Sequence, residues 1–191
     1  IIIWNFSLSQ MNEIDSLKKL LVDHLDDSLR VVYYNDIADA YSFVNIDSSL
    51  SYSKKTYDLA EKIGFGIGMG RAKNTEAQAY FRQGIYDKAD SLYKIAIAYH
   101  QKNADTFGLA ITINNLGLVY MNQSKYKEAL DLFLESIEHY KASKHEDKIP
   151  ATLANIGVLY YYQNNIEMAL KYVISAANGM KGYDSKRSIL Y

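Results

Sequence analysis

The chain has 191 residues, 49% of them hydrophobic, which is enough apolar material to build the core of one or two domains. Lys+Arg 21 against Asp+Glu 22 leaves a formal net charge of -1, which argues against the clustered positive excess by which a nucleic-acid binder releases counterions. Cys is absent, excluding disulfides, thiolate nucleophiles and thiolate metal sites, and a single Pro leaves the chain free to be helical nearly throughout.

Ile1 to Gln10 (IIIWNFSLSQ) is apolar but too short to span a bilayer. It reads either as the end of a signal-peptide apolar region, which places the chain outside the cytoplasm, or as a buried N-terminal segment, so the compartment stays open. Met11 to Leu25 carries Ile14, Leu17, Leu20, Leu21 and Leu25 at helical spacing and predicts an amphipathic capping helix. Residues 1–27 are therefore expected to form a tail and a cap.

Next comes a segment with Ala38 and Tyr41, then Ser49 and Ser53. The alternating Gly64, Gly66, Gly68 and Gly70 superficially suggest a phosphate loop, but the preceding Lys54 to Ile63 reads as a helix where that motif needs a strand. A helix C-cap and interhelical turn is the expectation. A second copy follows with Ala77, Tyr80 and Ala89, a third with Gly117, Tyr120, Ala129 and Phe133, and a fourth with Gly157, Tyr160, Ala169 and Val173. Tyr80, Tyr120 and Tyr160 stand 40 residues apart, as do Ala89, Ala129 and Ala169. Polar turns such as Gln83-Gly84 and Asn122-Gln123-Ser124 separate the helices, and Pro150 sits where a first helix begins and no N–H donor is needed. Ser185 to Tyr191 reads as the start of a truncated fifth repeat. Glu76 stands where the later copies carry Leu116 and Ile156, which predicts exposure or a local ion pair.

The pattern of an apolar residue, two spacers, Leu-Gly, two spacers, Tyr, then Ala and a larger apolar residue resembles the tetratricopeptide repeats over residues 28–184. A period of 40 is longer than the usual ~34 residues. It is similar to the variant of kinesin light chains, bacterial peptide-sensing regulators and sensor regions ahead of histidine kinase or LuxR-type output domains. The resemblance implies an all-α, right-handed α-solenoid of four antiparallel helix pairs, with about nine to ten helices and no sheet. The small residues Ala38, Ala77, Gly117 and Gly157 would let the first helix of each pair approach the second. Ser49, Ala89, Ala129 and Ala169 would receive that contact, with the Tyr filling the space beside it.

In that family the first-helix positions that alternate with packing positions line a concave groove. Carried onto this sequence, they imply a polypeptide-binding surface of Asn35, Asp39, Arg71, Asn74, Gln78, Phe81, Asn114, Asn115, Leu118, Met121, Asn155, Val158 and Tyr161. The recurring Asn is the informative part, because Asn is disfavoured inside helices and its amide both donates and accepts, as a peptide backbone does. The alternative is that these amides hydrogen-bond neighbouring helices or cap turns.

The expected function is that of a protein- or peptide-binding module, the sensory or scaffolding part of a bacterial signalling protein. No catalytic residue, cofactor or metal is expected: His24, His100, His139 and His145 are scattered on what reads as solvated surface, and only Glu135 and His139 share a helix face. The alternative is a regulatory, phosphatase-like enzyme with appended repeats. The apolar Ile1 to Phe6 is expected to pack on the first repeats or in the groove of a second copy, the latter giving a homodimer.

Overall fold

The computed structural model describes residues 2–21 and 25–188, with side chains described for 11–21 and 25–180. Among the described residues there are nine α-helices and no strand: α1 Ile2–Lys19, α2 Asp27–Tyr41, α3 Ile46–Lys62, α4 Gly66–Arg82, α5 Tyr86–Lys102, α6 Thr106–Asn122, α7 Tyr126–Ala142, α8 Ile149–Tyr162 and α9 Ile166–Ser188. A single 3-10 turn, Glu146–Lys148, precedes α8. The fold is the expected all-α array of antiparallel helix pairs, α2/α3, α4/α5, α6/α7 and α8/α9. It divides into two compact units, Ile1–Asp105 and Thr106–Tyr191.

The turns set the period. Gly64, Gly84, Ala104, Ser124, Lys144 and Asn164, every twentieth residue, all have φ between 52° and 75°. After each, the next N–H reaches back to the carbonyl five residues earlier, as in Phe65 to Ala60 (2.8 Å), Asp105 to His100 (2.9 Å) and His145 to Tyr140 (2.9 Å). This left-handed closure satisfies the last carbonyls of each helix and reverses the chain in three residues. Gly adopts it freely, whereas Ala104, Ser124 and Lys144 bear a Cβ against the following carbonyl. Ala104→Gly and Lys144→Gly should each raise the unfolding free energy by about 0.5–1 kcal/mol. Gly84→Ala should lower it by a similar amount, although a Cβ there meets nothing within 4 Å. Melting midpoints that move in the same direction for both kinds of change would refute this account.

In the first unit, two side chains cap helices: Asp26 accepts from Ser28 N–H at 2.8 Å, and Asn45 accepts from Ser48 N–H at 2.9 Å. Ile14 of α1 is fully buried, as an amphipathic cap requires. Ser49, in the position elsewhere held by Ala, donates from Oγ to the Ala38 carbonyl at 2.7 Å, so the close contact of the first pair is closed by a hydrogen bond. Tyr41 stacks on Tyr52 with centroids 5.7 Å apart. Of the glycine run only Gly64 serves a turn. Gly66, Gly68 and Gly70 lie in the first turns of α4 and are buried, because neighbouring atoms occupy the space of a side chain: Val31 Cγ1 would be 2.7 Å from a Gly68 Cβ, and His100 Cε1 2.9 Å from a Gly70 Cβ.

His100 thus departs from the expected solvated surface. It is 1% exposed, with Nδ1 2.9 Å from Asp105 Oδ2. Glu76 has its local ion pair: Lys73 Nζ is 2.8 Å from Oε2, and the same ammonium lies 4.5 Å from the Tyr57 ring centroid.

The second unit shows the small-residue contact most directly. A Cβ on Gly117 would lie 2.7 Å from Phe133 Cε1, and one on Gly157 2.8 Å from Val173 Cγ2. The residue that meets the glycine is therefore the large apolar one, a turn beyond Ala129 or Ala169. Met121, Ala129, Phe133, Ile137, Ile156 and Leu159 form the core, so α8 seats two side chains on the α6/α7 pair. Pro150 lies in the first turn of α8, as its missing N–H permits. α9 runs without a break to Ser188, so residues 185–188 extend the second helix of the fourth pair.

Candidate polypeptide-binding surface

In the first unit the candidate residues lie on α2 and α4, which pack side by side. Thr75 Oγ1 donates to Asn35 Oδ1 at 3.1 Å, linking the two first helices directly. Asn74 and Arg71 are half-buried on the same helix. Asp39 reaches the surface but is hemmed in by protein. Desolvation raises its carboxyl above the ordinary range, Arg82 opposes this, Asp36 and Glu13 add to it, and a hydrogen bond from Gln78 lowers it. Asp36 is raised in the same way by desolvation, with Arg71 opposing and Glu13 adding. The Arg82 guanidinium is lowered by desolvation against the pull of Asp39, and its Cζ sits 3.6 Å from the Phe43 ring centroid. Phe81 turns toward α5, its ring 5.9 Å from that of Tyr86. This surface therefore carries two carboxylates, two guanidiniums and amides, partly shielded from water.

Arg82 and Phe43 lie beside the candidate residues without being among those expected from the sequence. Arg82 could have been found: Arg71, Thr75, Gln78 and Arg82 follow one another at three- and four-residue steps, so they share one face of α4.

In the second unit the corresponding residues lie on α6 and α8. Asn155 Nδ2 donates to Asn114 Oδ1 at 3.1 Å, the same relation one pair of repeats later as Thr75 to Asn35. Asn115 and Leu118 are half-buried, and Leu118 leans on the core. Met121 is 8% exposed and belongs to that core, so it underlies the surface. Val158 and Tyr161 are exposed. They wall a cavity of about 360 Å³, lined only by apolar atoms, with Gly157, Ile166, Leu170 and Val173.

The side chains of residues 1–10, on which docking of the N-terminal segment turns, lie outside the described residues, as does His24. Among the described residues no group of three or more His, Asp and Glu could hold a metal ion, and no helix is long and apolar enough to cross a membrane. Glu135 and His139 approach to 3.7 Å on an exposed helix face, and His145 stacks on Phe107 with centroids 3.9 Å apart.

The family model of the tetratricopeptide repeat matches residues 68–142 and 108–181, together more than half of the chain. The chain belongs to the tetratricopeptide repeat family. No curated protein matches this tetratricopeptide repeat chain in sequence. Among solved structures it is similar to the Rap conjugation gene regulator of the plasmid pLS20 in complex with the Phr* peptide, at TM-score 0.80 and 18% identity, covering 98% of this chain and 53% of that one. It is also similar to aspartyl phosphate phosphatase F from Bacillus subtilis, at TM-score 0.76 and 16% identity, covering 95% and 51%. A third likeness, to a signal transduction ATPase with a tetratricopeptide repeat sensor from Pyrococcus horikoshii, has TM-score 0.69 and 19% identity and covers 92% and 28%. The chain thus spans about half the length of the pLS20 regulator and of the phosphatase. At these identities the likeness is one of fold.

Proposed function

We propose that this chain is a polypeptide-recognition module, the sensory or scaffolding part of a larger signalling protein, which seats a peptide segment on its first-helix faces. The observation that carries this reading is the repeated amide bridge, Thr75 to Asn35 and Asn155 to Asn114. Each bridge occupies the carbonyl oxygen of the accepting Asn and leaves its NH2 as a donor whose direction the bridge fixes. Donors held in place before binding cost little ordering entropy when a backbone carbonyl arrives. The flanking Asp39, Arg71, Gln78 and Arg82 supply partly desolvated charge and amide groups, where a charge-assisted hydrogen bond is stronger than in open water.

The similar pLS20 regulator is solved with a peptide, which supports a peptide over other ligands. The even charge balance favours a protein partner over nucleic acid. Pairing with a second copy through residues 1–10 remains part of this proposal, and the solution mass of a chain lacking them tests it. The second reading, a phosphatase-like regulatory enzyme, is favoured by the likeness to phosphatase F.

To test the main reading, a random linear peptide library is panned on the immobilised chain and the enriched peptide is titrated by calorimetry. Asn35→Ala and Asn114→Ala should each weaken binding about 3–10-fold, the worth of one hydrogen bond. The reading fails if no peptide enriches, or if both variants bind as tightly as the parent chain.

A further inference from the structure

The two units differ in what their first helices carry. In the second unit, neither the 17 residues of α6 nor the 14 of α8 include an Asp, Glu, Lys, Arg or His, in a chain where 23% of residues are charged. Helix position alone does not impose this. The same register positions in the first unit hold charge: Asp36 stands where the later copies have Asn115 and Asn155, Asp39 where α6 has Leu118, and Arg71 where they have Ile111 and Ala151. Nor is full burial the cause, since Ala151 is exposed and Ile111, Asn115, Leu118 and Asn155 are half-buried. α7, the partner of α6, carries Lys127, Glu128, Asp131, Glu135, Glu138 and Lys141, so the charge of this pair lies on its second helix alone.

For a segment lying on these helices the consequence is a difference in selection. A charged side chain brought against α6 and α8 loses hydration and meets amides and hydrocarbon with no counter-ion, which is unfavourable. Against α2 and α4 the same side chain finds an opposite charge already partly stripped of water. Desolvation raises the carboxyls of Asp36 and Asp39 and lowers the Arg82 guanidinium, so an incoming ammonium or carboxylate supplies a partner that water no longer does. The Arg82 guanidinium is also held in place by the Phe43 ring.

We propose that the two faces select peptide by charge in different ways: the α2/α4 face takes a segment bearing at least one acidic and one basic side chain, and the α6/α8 face takes a segment bearing neither. This rests on the polypeptide reading above and narrows it to peptides in which charged and uncharged stretches are separate. The first face selects by attraction, the second by exclusion, and discrimination between peptides draws on both.

The probes are the peptides enriched by panning on the full chain. Their sequences should share an uncharged stretch and a separate stretch holding both signs, although the starting library carries charge at every position. In calorimetric titrations, Lys placed at successive positions of the uncharged stretch should weaken binding about tenfold or more. Ala151→Glu, at an exposed site in the first turns of α8, should recover about threefold or more of that loss for at least one Lys position, and none when Glu stands there instead. Asp39→Asn should weaken the enriched peptide about 3–10-fold and leave unchanged the binding of the same peptide neutralised at its basic residue. No enrichment at all would overturn the polypeptide reading and this inference with it. Four results would overturn the inference alone and leave that reading standing: charges scattered along the enriched peptides, Lys-substituted peptides that bind within about twofold of the parent, Ala151→Glu recovering neither or both kinds of substituted peptide, or Asp39→Asn without effect on the enriched peptide.

Discussion

Phe133→Ala should lower the unfolding free energy by about 3–5 kcal/mol, the largest loss expected of any single truncation in the second unit. The ring is fully buried, lies against Gly117 and shares a cluster with Met121, Ala129, Ile137, Ile156 and Leu159. Gly117 has no side chain to move into the vacated space, and the surrounding residues are held on three helices, so the cavity should persist. Val173→Ala, the same change one repeat later, acts at a half-exposed site and should cost about 1 kcal/mol or less. Urea denaturation followed by circular dichroism checks both, and equal losses would contradict the packing described.

Gly68→Leu should cost about 3 kcal/mol by the opposite mechanism, overpacking. A Cβ at Gly68 would already lie 2.7 Å from Val31 Cγ1, 2.8 Å from Phe65 Cδ1 and 3.0 Å from Ala60 Cβ. Val31 and Ala60 are buried on α2 and α3 and cannot swing away, so α4 must shift. The better helix propensity of Leu recovers only about 1 kcal/mol. A melting midpoint equal to that of the parent chain would show that α4 does not approach α2 and α3 as closely as described.

The helix pairs were legible because their contacts are written in single residues. Gly117 and Gly157 mark the close approach, and the Tyr column marks its edge. Polar turns such as Asn122-Gln123-Ser124 were legible as turns, but a positive φ was announced only by Gly64 and Gly84. Ala104, Ser124 and Lys144 adopt it because the helices on either side hold the chain there, and composition carries no trace of that. His100 could have been placed correctly by its column: Ala60 and Tyr140, forty residues to either side, are both buried. The Asn positions were visible in the register, but their bridges were not, since they depend on how near one first helix lies to the next. Of the two readings of the Asn row, the structure shows the bonds between neighbouring helices, in which the Asn35 and Asn114 carbonyls accept, and peptide binding is the proposal made above. Met121 shows the limit of helical spacing, which names a face but not what covers it.

The turn spacing also constrains how such a chain can change length. α3 to α7 are each 17 residues long, and the six reversals from Gly64 to Asn164 are built alike, so from α3 onward one element joins to the next regardless of which helix it is. The turns alone would accept an insertion or deletion of about twenty residues. The packing would not, because a helix bearing Phe133 would then fall where one bearing Gly117 must sit, and glycine would face glycine across an empty contact. Genetic gain or loss is therefore tolerated in steps of forty, and a duplication of half that size should yield a chain whose turns close but whose helices do not pack.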